Sequence, residues 1–290
     1  MKKKVKGIIL AGGLGTRMYP TSKAISKQLI PVYDKPMIYY PLSTLIIAEV
    51  KDILIISTPQ DINSFKNLFG DGKTLGVNIE YAIQHKPRGI AESIIIAEEF
   101  LKNSNFFLLL GDNIFYGQNL KSKLIKTKSI TKGACIFSYK VNDPENFGNI
   151  EFKKNNTIKS IVEKPKKPKS DDIVTGLYFY DSNAINYVKK LKPSNRNELE
   201  ITDLNNIYLK RNLLRVNKLG RGYAWIDAGT HDKLLEASNF IKIIESRQSE
   251  KIGCIEEASY RNGWMKKSDI NFIIKKNHNN SYSKYLKKLI

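Results

Sequence analysis

Short apolar runs of strand length alternate with amphipathic stretches through the first part of the chain. Residues 6–10, 53–57, 77–83 and 105–110 are the runs. Between them, residues 36–50 read as a mostly buried helix with Pro36 at its start. Residues 61–69 place Ile62, Phe65, Leu68 and Phe69 on one face of a short helix, and residues 90–101 form a helical stretch free of Pro and Gly. Strand, helix and strand in this order predict βαβ units with right-handed crossovers and a mostly parallel sheet.

The pattern changes near residue 133. Residues 133–141, 148–152, 158–162 and 174–180 predict short strands separated only by turns. Residues 191–214 return to a helical pattern, with Leu199, Thr202 and Asp203 opening a run that ends at Tyr208 and Leu209. Residues 214–226 predict strand again. After Gly229-Thr230 a long helix is expected over 232–245. Beyond Gln248 the chain is rich in Lys and Asn, with Tyr282, Tyr285, Leu286 and Leu289 in helical spacing, and is expected to be helical and peripheral. The predicted fold is α/β: a Rossmann-like, mostly parallel central sheet flanked by helices, with an inserted antiparallel layer beside its active edge and a helical C-terminal segment. No repeat or low-complexity linker interrupts it, so residues 1–290 predict one compact domain.

Composition narrows the functional classes. Hydrophobic residues are 41% and charged residues 26%, a globular balance. No run approaches the ~18 apolar residues of a bilayer span, and the apolar stretch after the Lys-rich start is too short for a signal peptide. A cytoplasmic protein without a membrane partner is expected. Cys135 and Cys254 lie far apart and lack metal-ligand spacing. The net charge of +20 calls for an anionic partner. Its lysines are scattered rather than interleaved with stacking residues, so they predict a solvated basic surface and no nucleic acid. Such a field raises encounter rates with phosphorylated substrates.

The candidate chemistry sits at strand ends. In an open parallel sheet, ligands bind outside the carboxyl ends of the strands. The first strand runs into Gly12, Gly13, Gly15, Thr16 and Arg17, with Lys27 ten residues on. Glycines let backbone N–H groups approach a phosphate closely, and the cations neutralise it. A dinucleotide fingerprint would need a third glycine where Met18 stands, and a Walker loop would need Gly-Lys-Ser/Thr, which is absent. The strand ending at Leu110-Gly111 delivers Asp112, and the later Tyr223-Ala-Trp-Ile stretch delivers Asp227. Mg²⁺ takes one or two carboxylates plus phosphate oxygens, so these two aspartates are candidate ligands. Tyr223, Trp225 and Asp227 alternate onto one strand face. Glu163-Lys164-Pro165 presents a cation at a strand end, suited to a second anionic substrate.

Together, Gly12-Gly-Leu-Gly-Thr-Arg17, Ser26-Lys-Gln-Leu-Ile-Pro-Val-Tyr-Asp-Lys-Pro-Met-Ile-Tyr-Tyr-Pro41, Leu110-Gly-Asp-Asn-Ile-Phe-Tyr-Gly117, Glu163-Lys-Pro165, Thr175-Gly-Leu-Tyr-Phe-Tyr180, Glu198-Leu-Glu-Ile-Thr-Asp203 and Gly220-Arg-Gly-Tyr-Ala-Trp-Ile-Asp-Ala-Gly-Thr-His231 resemble the glucose-1-phosphate thymidylyltransferases of the sugar nucleotidyltransferase superfamily. The resemblance covers nearly all of residues 6–262. It implies formation of dTDP-glucose and pyrophosphate from dTTP and α-D-glucose 1-phosphate, with Mg²⁺ as cofactor. It implies a nucleotide-binding part over about 1–132, a sugar-phosphate-binding part over about 133–230 and a helical part over about 231–290. Gly12, Gly15 and Thr16 would contact the nucleotide. Arg17 and Lys27 would neutralise its phosphates, and Asp112 and Asp227 would hold the metal; these four are the implied catalytic residues. Gln28, Gln84 and the Gly89 backbone would sit at the thymine; an amide both donates and accepts. Lys164 would bind the sugar phosphate, and Asn113, Gly148, Glu163, Val174, Tyr178 and Trp225 would line the sugar. The loop His85-Lys-Pro-Arg88 departs from the family, where smaller and often acidic residues are expected. A homotetramer with a second, regulatory nucleotide site is also implied. A relative using UTP or another sugar phosphate, and a basic nucleic-acid-binding protein, are the alternatives.

Overall fold

The structure is a computed structural model that describes residues 4–13, 15–276 and 280–290. Its strands are β1 (Val5–Ala11), β2 (Pro31–Val32), β3 (Lys35–Pro36), β4 (Asp52–Ser57), β5 (Asn78–Ile83), β6 (Asn105–Leu110), β7 (Asn113–Gly117), β8 (Ala134–Lys140), β9 (Gly148–Phe152), β10 (Ile158–Glu163), β11 (Asp172–Tyr180), β12 (Leu214–Lys218) and β13 (Tyr223–Asp227). Its helices are α1 (Tyr39–Ile47), α2 (Ile62–Phe69), α3 (Glu92–Ile96), α4 (Glu98–Leu101), α5 (Leu120–Lys128), α6 (Ala184–Val188), α7 (Ile201–Lys210), α8 (His231–Gln248), α9 (Ile255–Arg261), α10 (Lys267–Lys276) and α11 (Ser281–Leu289).

One sheet dominates, in the order β10-β9-β11-β6-β1-β4-β5, with β8 also paired to β11 and β12 to β8. The half β6-β1-β4-β5 is wholly parallel. β1 lies at its centre, with Ile9 facing Ile55 on one side and Leu109 on the other. Burial on both faces explains its unbroken apolar run. Ile9 and Ala11 enter a core shared with α1 and Phe65, whereas Ile8 and Leu10 enter a second core shared with Ile94, Leu204 and Tyr208. Gly7 permits close packing there, because a methyl at its Cα would lie 2.7 Å from Leu45 Cδ1.

The antiparallel strands predicted after residue 133 continue this same sheet edge to edge. β11 runs antiparallel to β6, with Leu177 opposite Leu109, and β9 and β10 pair antiparallel beyond it. A separate two-stranded ribbon of β7 and β13 stands at the carboxyl end of β6. That ribbon brings the chain from residue 227 back to residue 112.

Several expected elements are corrected. The helix expected over 90–101 is two helices, because Ala97 (φ −82°, ψ 2°) turns the chain so that Phe100 and Leu101 follow Ile94 into one core. The helix expected over 191–214 is α7 alone. Pro193 disfavours helix at the residue before it, the chain then turns through Ser194 N–H donating to Glu198 O (2.9 Å), and Leu199 is tied down by its N–H donating to Arg88 O (2.7 Å) and Ala91 N–H donating to its O (3.2 Å). The strand expected over 214–226 is β12 and β13 in different sheets, separated by the Gly220-Arg-Gly222 turn, where Gly222 has φ +88°. The C-terminal segment is helical, but its first helix is not peripheral: Ile255 and Ala258 enter the main core, and Glu256 and Glu257 are buried. Tyr282 and Tyr285 of α11 donate hydrogen bonds to those two carboxylates (2.5 and 2.6 Å). β7 and the Lys-rich α5 are not among the expected elements, although Leu120, Leu124 and Thr127 of α5 are buried at helical spacing.

Candidate active site

The turn after β1 is shaped by glycine. Gly13 and Gly15 have φ +106° and +58°, where a side chain is strained, and Thr16–Met18 closes as one helical turn through Met18 N–H donating to Gly15 O (2.7 Å). Gly12 lies against Gln84: a methyl on its Cα would sit 2.6 Å from Gln84 Oε1. Gln84 is buried and fixed twice. Its backbone N–H donates to Ser57 O (2.8 Å), and its Nε2 donates to Glu92 Oε2 (2.7 Å). Ser57 in turn donates its hydroxyl to Ala11 O (3.1 Å), tying β4 to the start of the turn.

A second short turn, Lys27–Leu29, packs under the first. A methyl on Gly15 would lie 3.7 Å from Lys27 Cβ. Gln28 is buried, its Cγ is 2.8 Å from where a Gly111 side chain would begin, and its Oε1 accepts from the Ser26 hydroxyl (2.9 Å). The Lys27 ammonium pairs with the Asp112 carboxylate across 85 residues.

Asp112 follows β6 by two residues, and Asp227 ends β13. They are brought together by the Asp227–Asn113 register and by Ala228 N–H donating to Asp112 O (2.9 Å). Burial opposes ionisation of Asp112, but the charge and hydrogen bond of Lys27 outweigh it and hold the carboxyl below its ordinary range. Asp227 has no such partner. Burial first, and the charge of Asp112 second, push its carboxyl up to about 7. Asn113 is an internal strut. Its Oδ1 accepts from Trp225 Nε1 (2.6 Å) and Gly176 N–H (2.9 Å), and its Nδ2 donates to Asp112 Oδ1 (3.0 Å).

Beyond the carboxylates opens a cavity of 430 Å³. Its far wall is built on β9, β10 and β11. Lys164 is held at φ +41°, with its N–H donating to Phe147 O (3.0 Å), and its side chain is exposed at the rim. Glu163 accepts from the Thr202 hydroxyl (2.5 Å) and meets Arg196 Nη2 at 3.4 Å. Arg196 also pairs with Glu200 (2.8 Å) and Glu198 (3.5 Å). Gly148 keeps the floor open: a methyl there would lie 3.2 Å from Thr202 Oγ1 and 3.5 Å from Glu163 Oε2.

Of the residues singled out from sequence, Arg17, Asp112, Asn113, Gly148, Glu163, Lys164, Val174, Tyr178, Trp225 and Asp227 line this one cavity. Gly12, Gly15, Thr16, Lys27, Gln28 and Gln84 cluster behind Arg17 and Asp112 instead. Gly89 (φ +97°) abuts the Leu199 backbone, 2.4 Å from where a side chain would begin, next to the lining residue Ile90. Sequence reasoning missed Arg196, Thr202 and Lys233, which also line the cavity. The Glu198-to-Asp203 motif contains Thr202 and the two glutamates that pair with Arg196, but it assigns none of them a role.

Among the described residues no three acidic, His or Cys side chains converge as a metal cage. Two half-buried carboxylates do converge, and that of Asp227 has no hydrogen bond or ion pair among the described residues. An all-oxygen donor pair fits a hard divalent cation whose remaining positions go to water and phosphate.

Known proteins resemble the chain over nearly its whole length. The family model described as Nucleotidyl transferase matches residues 6–243. The glucose-1-phosphate thymidylyltransferase of Neisseria meningitidis serogroup A / serotype 4A is 51% identical over 286 residues, 99% of both chains. That of Xanthomonas campestris pv. campestris strain B100 is 50% identical, over 97% of this chain and 95% of its own. A solved structure from Bacillus anthracis, assigned as a glucose-1-phosphate thymidylyltransferase and holding sucrose, superposes with TM-score 0.76 and 42% identity, over 81% of this chain and 94% of that one. A UDP-glucose pyrophosphorylase complexed with UDP-glucose shares the fold (TM-score 0.73, 24% identity, over 83% of this chain and 99% of that one). The chain therefore belongs to the nucleotidyl transferase family and, within it, to the glucose-1-phosphate thymidylyltransferases.

Proposed function

We propose that this enzyme joins dTTP to α-D-glucose 1-phosphate, giving dTDP-glucose and pyrophosphate. The observation that carries the proposal is a single cavity with Arg17, Asp112 and Asp227 on one wall and Glu163, Lys164 and Arg196 on the other. A phosphate oxygen of the sugar forms a bond to the α-phosphorus as the bond to the β-phosphate breaks, and the electron pair leaves on pyrophosphate. Both reactants are anions, so holding them in line and neutralising charge supply most of the acceleration.

The backbone N–H groups of Gly12, Gly15 and Thr16 bind the nucleotide phosphates. Arg17 and Lys27 offset the charge that accumulates on the departing pyrophosphate. Gln28, Gln84 and the Gly89 backbone take the base. Asp112 and Asp227 would hold Mg²⁺, which when bound neutralises phosphate charge. Lys164, and Arg196 beside it, bind the sugar phosphate. Glu163, Gly148 and Val174 line the sugar, with Asn113, Tyr178 and Trp225 behind them. The three parts of the chain, about 1–132, 133–230 and 231–290, supply nucleotide site, sugar site and helical cover within one domain. A cytoplasmic location and a homotetramer complete the proposal, both from the likeness to the family.

The test is pyrophosphate release from dTTP and glucose 1-phosphate with Mg²⁺, run beside UTP and other sugar 1-phosphates. Turnover that prefers dTTP and glucose 1-phosphate is expected. No release from that pair overturns the assignment, and a clear preference for UTP selects the related-enzyme alternative.

A further inference from the structure

Glu92 opens α3 outside the cavity, and the mechanism above gives it no part. Its carboxylate nevertheless decides which end of the Gln84 amide faces the nucleotide turn. A carboxylate accepts hydrogen bonds, so the 2.7 Å contact must use the Gln84 NH₂ group. The carbonyl end, Oε1, is thereby turned over Gly12. There it has no hydrogen-bond partner among the described residues, and it is not among the buried polar atoms sealed from solvent. Gln28 is set the other way. The Ser26 hydroxyl takes its Oε1, leaving its NH₂ group for a ligand.

We propose that Glu92 is a positioning residue for base recognition: it locks the Gln84 carbonyl toward the nucleotide, so the site demands a base edge with a ring N–H, flanked by a carbonyl for Gln28. Thymine and uracil carry that imide edge. Cytosine presents a ring nitrogen acceptor to an acceptor and is refused. The proposal rests on the assignment of the β1 turn as the nucleotide site. It adds the residue that enforces the choice of base class and places discrimination between thymine and uracil elsewhere.

The experiment compares wild type, Glu92→Ala and Glu92→Gln with dTTP and dCTP at saturating glucose 1-phosphate, reading KM and kcat by pyrophosphate release. Gln at position 92 keeps an acceptor for Gln84; Ala keeps the helix and removes it. Glu92→Ala is expected to raise KM for dTTP ~10-fold with kcat within ~3-fold, and to shrink the dTTP:dCTP preference by at least ~10-fold, the scale of one lost hydrogen bond. Glu92→Gln is expected to restore both values to within ~3-fold of wild type. An unchanged base preference in Glu92→Ala overturns the proposal, and so does an equal loss in both variants, which would indicate charge or packing rather than amide orientation. If Glu92→Ala does not fold, wild type given N3-methylated dTTP decides: rejection by ~100-fold or more supports the acceptor at Oε1, and equal use overturns it. A wild type inactive on every pyrimidine triphosphate overturns the nucleotide assignment itself, an outcome distinct from an active enzyme that ignores position 92.

Discussion

The proposed nucleotide and sugar walls of the site, the first standing behind Arg17 and Asp112 and the second lining the cavity, are built on different principles. The nucleotide wall is made of nearby sequence. Gly15 to Met18 and Ser26 to Leu29 are two tight turns near the end of one central strand, and they offer mostly backbone N–H groups, with the Lys27–Asp112 ion pair closing them. The sugar wall is made of side chains from distant segments. Glu163 ends β10, Arg196, Glu198 and Glu200 come from the loop before α7, and Thr202 from its first turn. Backbone binding needs glycines in order along the chain, so it leaves a motif. A side-chain network needs only convergence in space, so it leaves scattered charges. Substitutions should therefore act differently on the two walls.

The largest effect is expected where the walls meet. Asp227→Asn removes one of two converging carboxylates, and kcat should fall ~10²–10³-fold with the fold intact, the scale of losing one charge-stabilising group. A Mg²⁺ titration of pyrophosphate release checks it, and near-normal turnover would separate Asp227 from the chemistry. Arg196→Ala comes next. A charge-assisted hydrogen bond to phosphate contributes ~1.5–3 kcal/mol, so KM for glucose 1-phosphate should rise ~10–100-fold while KM for dTTP stays within ~2-fold. If both constants rise together, the walls are not independent.

Gly12→Ala tests the backbone wall. Its added methyl would meet Gln84 Oε1 at 2.6 Å, and relief by displacing that amide should raise KM for dTTP ~10-fold without changing use of glucose 1-phosphate. The smallest effect is expected for Thr16→Ala. Thr16 is exposed and proposed to act through its N–H, so steady-state kinetics should change by less than ~3-fold. A decade of loss there would show that the nucleotide wall also depends on side chains.

Most of the fold was legible for one reason. Buried strands such as β1, β4 and β6 must be apolar on both faces, and that leaves unmistakable runs at 6–10, 53–57 and 105–110. β7 and β13 were harder to read because each is short and only pairing with the other defines it. The segment 191–200 is expected to be helical, yet it is a loop turned at Ser194–Glu198 whose Leu199 backbone pairs with Arg88 and Ala91. Local periodicity carries no trace of such a partner. The same limit hid Arg196, whose contacts with the carboxylates at positions 163, 198 and 200 arise only where the loop lies against β10.

The sequence alone determined the alternating α/β order, the glycine turn after β1, and the placement of Asp112, Glu163, Lys164 and Asp227 at or just past strand ends. These follow from spacing along one strand or turn, where covalent connectivity sets distance. Only the tertiary structure decided that the antiparallel strands extend the parallel sheet, that Asp227 lies beside Asp112 with only one of them paired to a lysine, and that Glu92 orients Gln84. Each of these depends on a hydrogen bond or charge between residues that the chain itself does not place together. Their geometry exists only once the core has closed around β1.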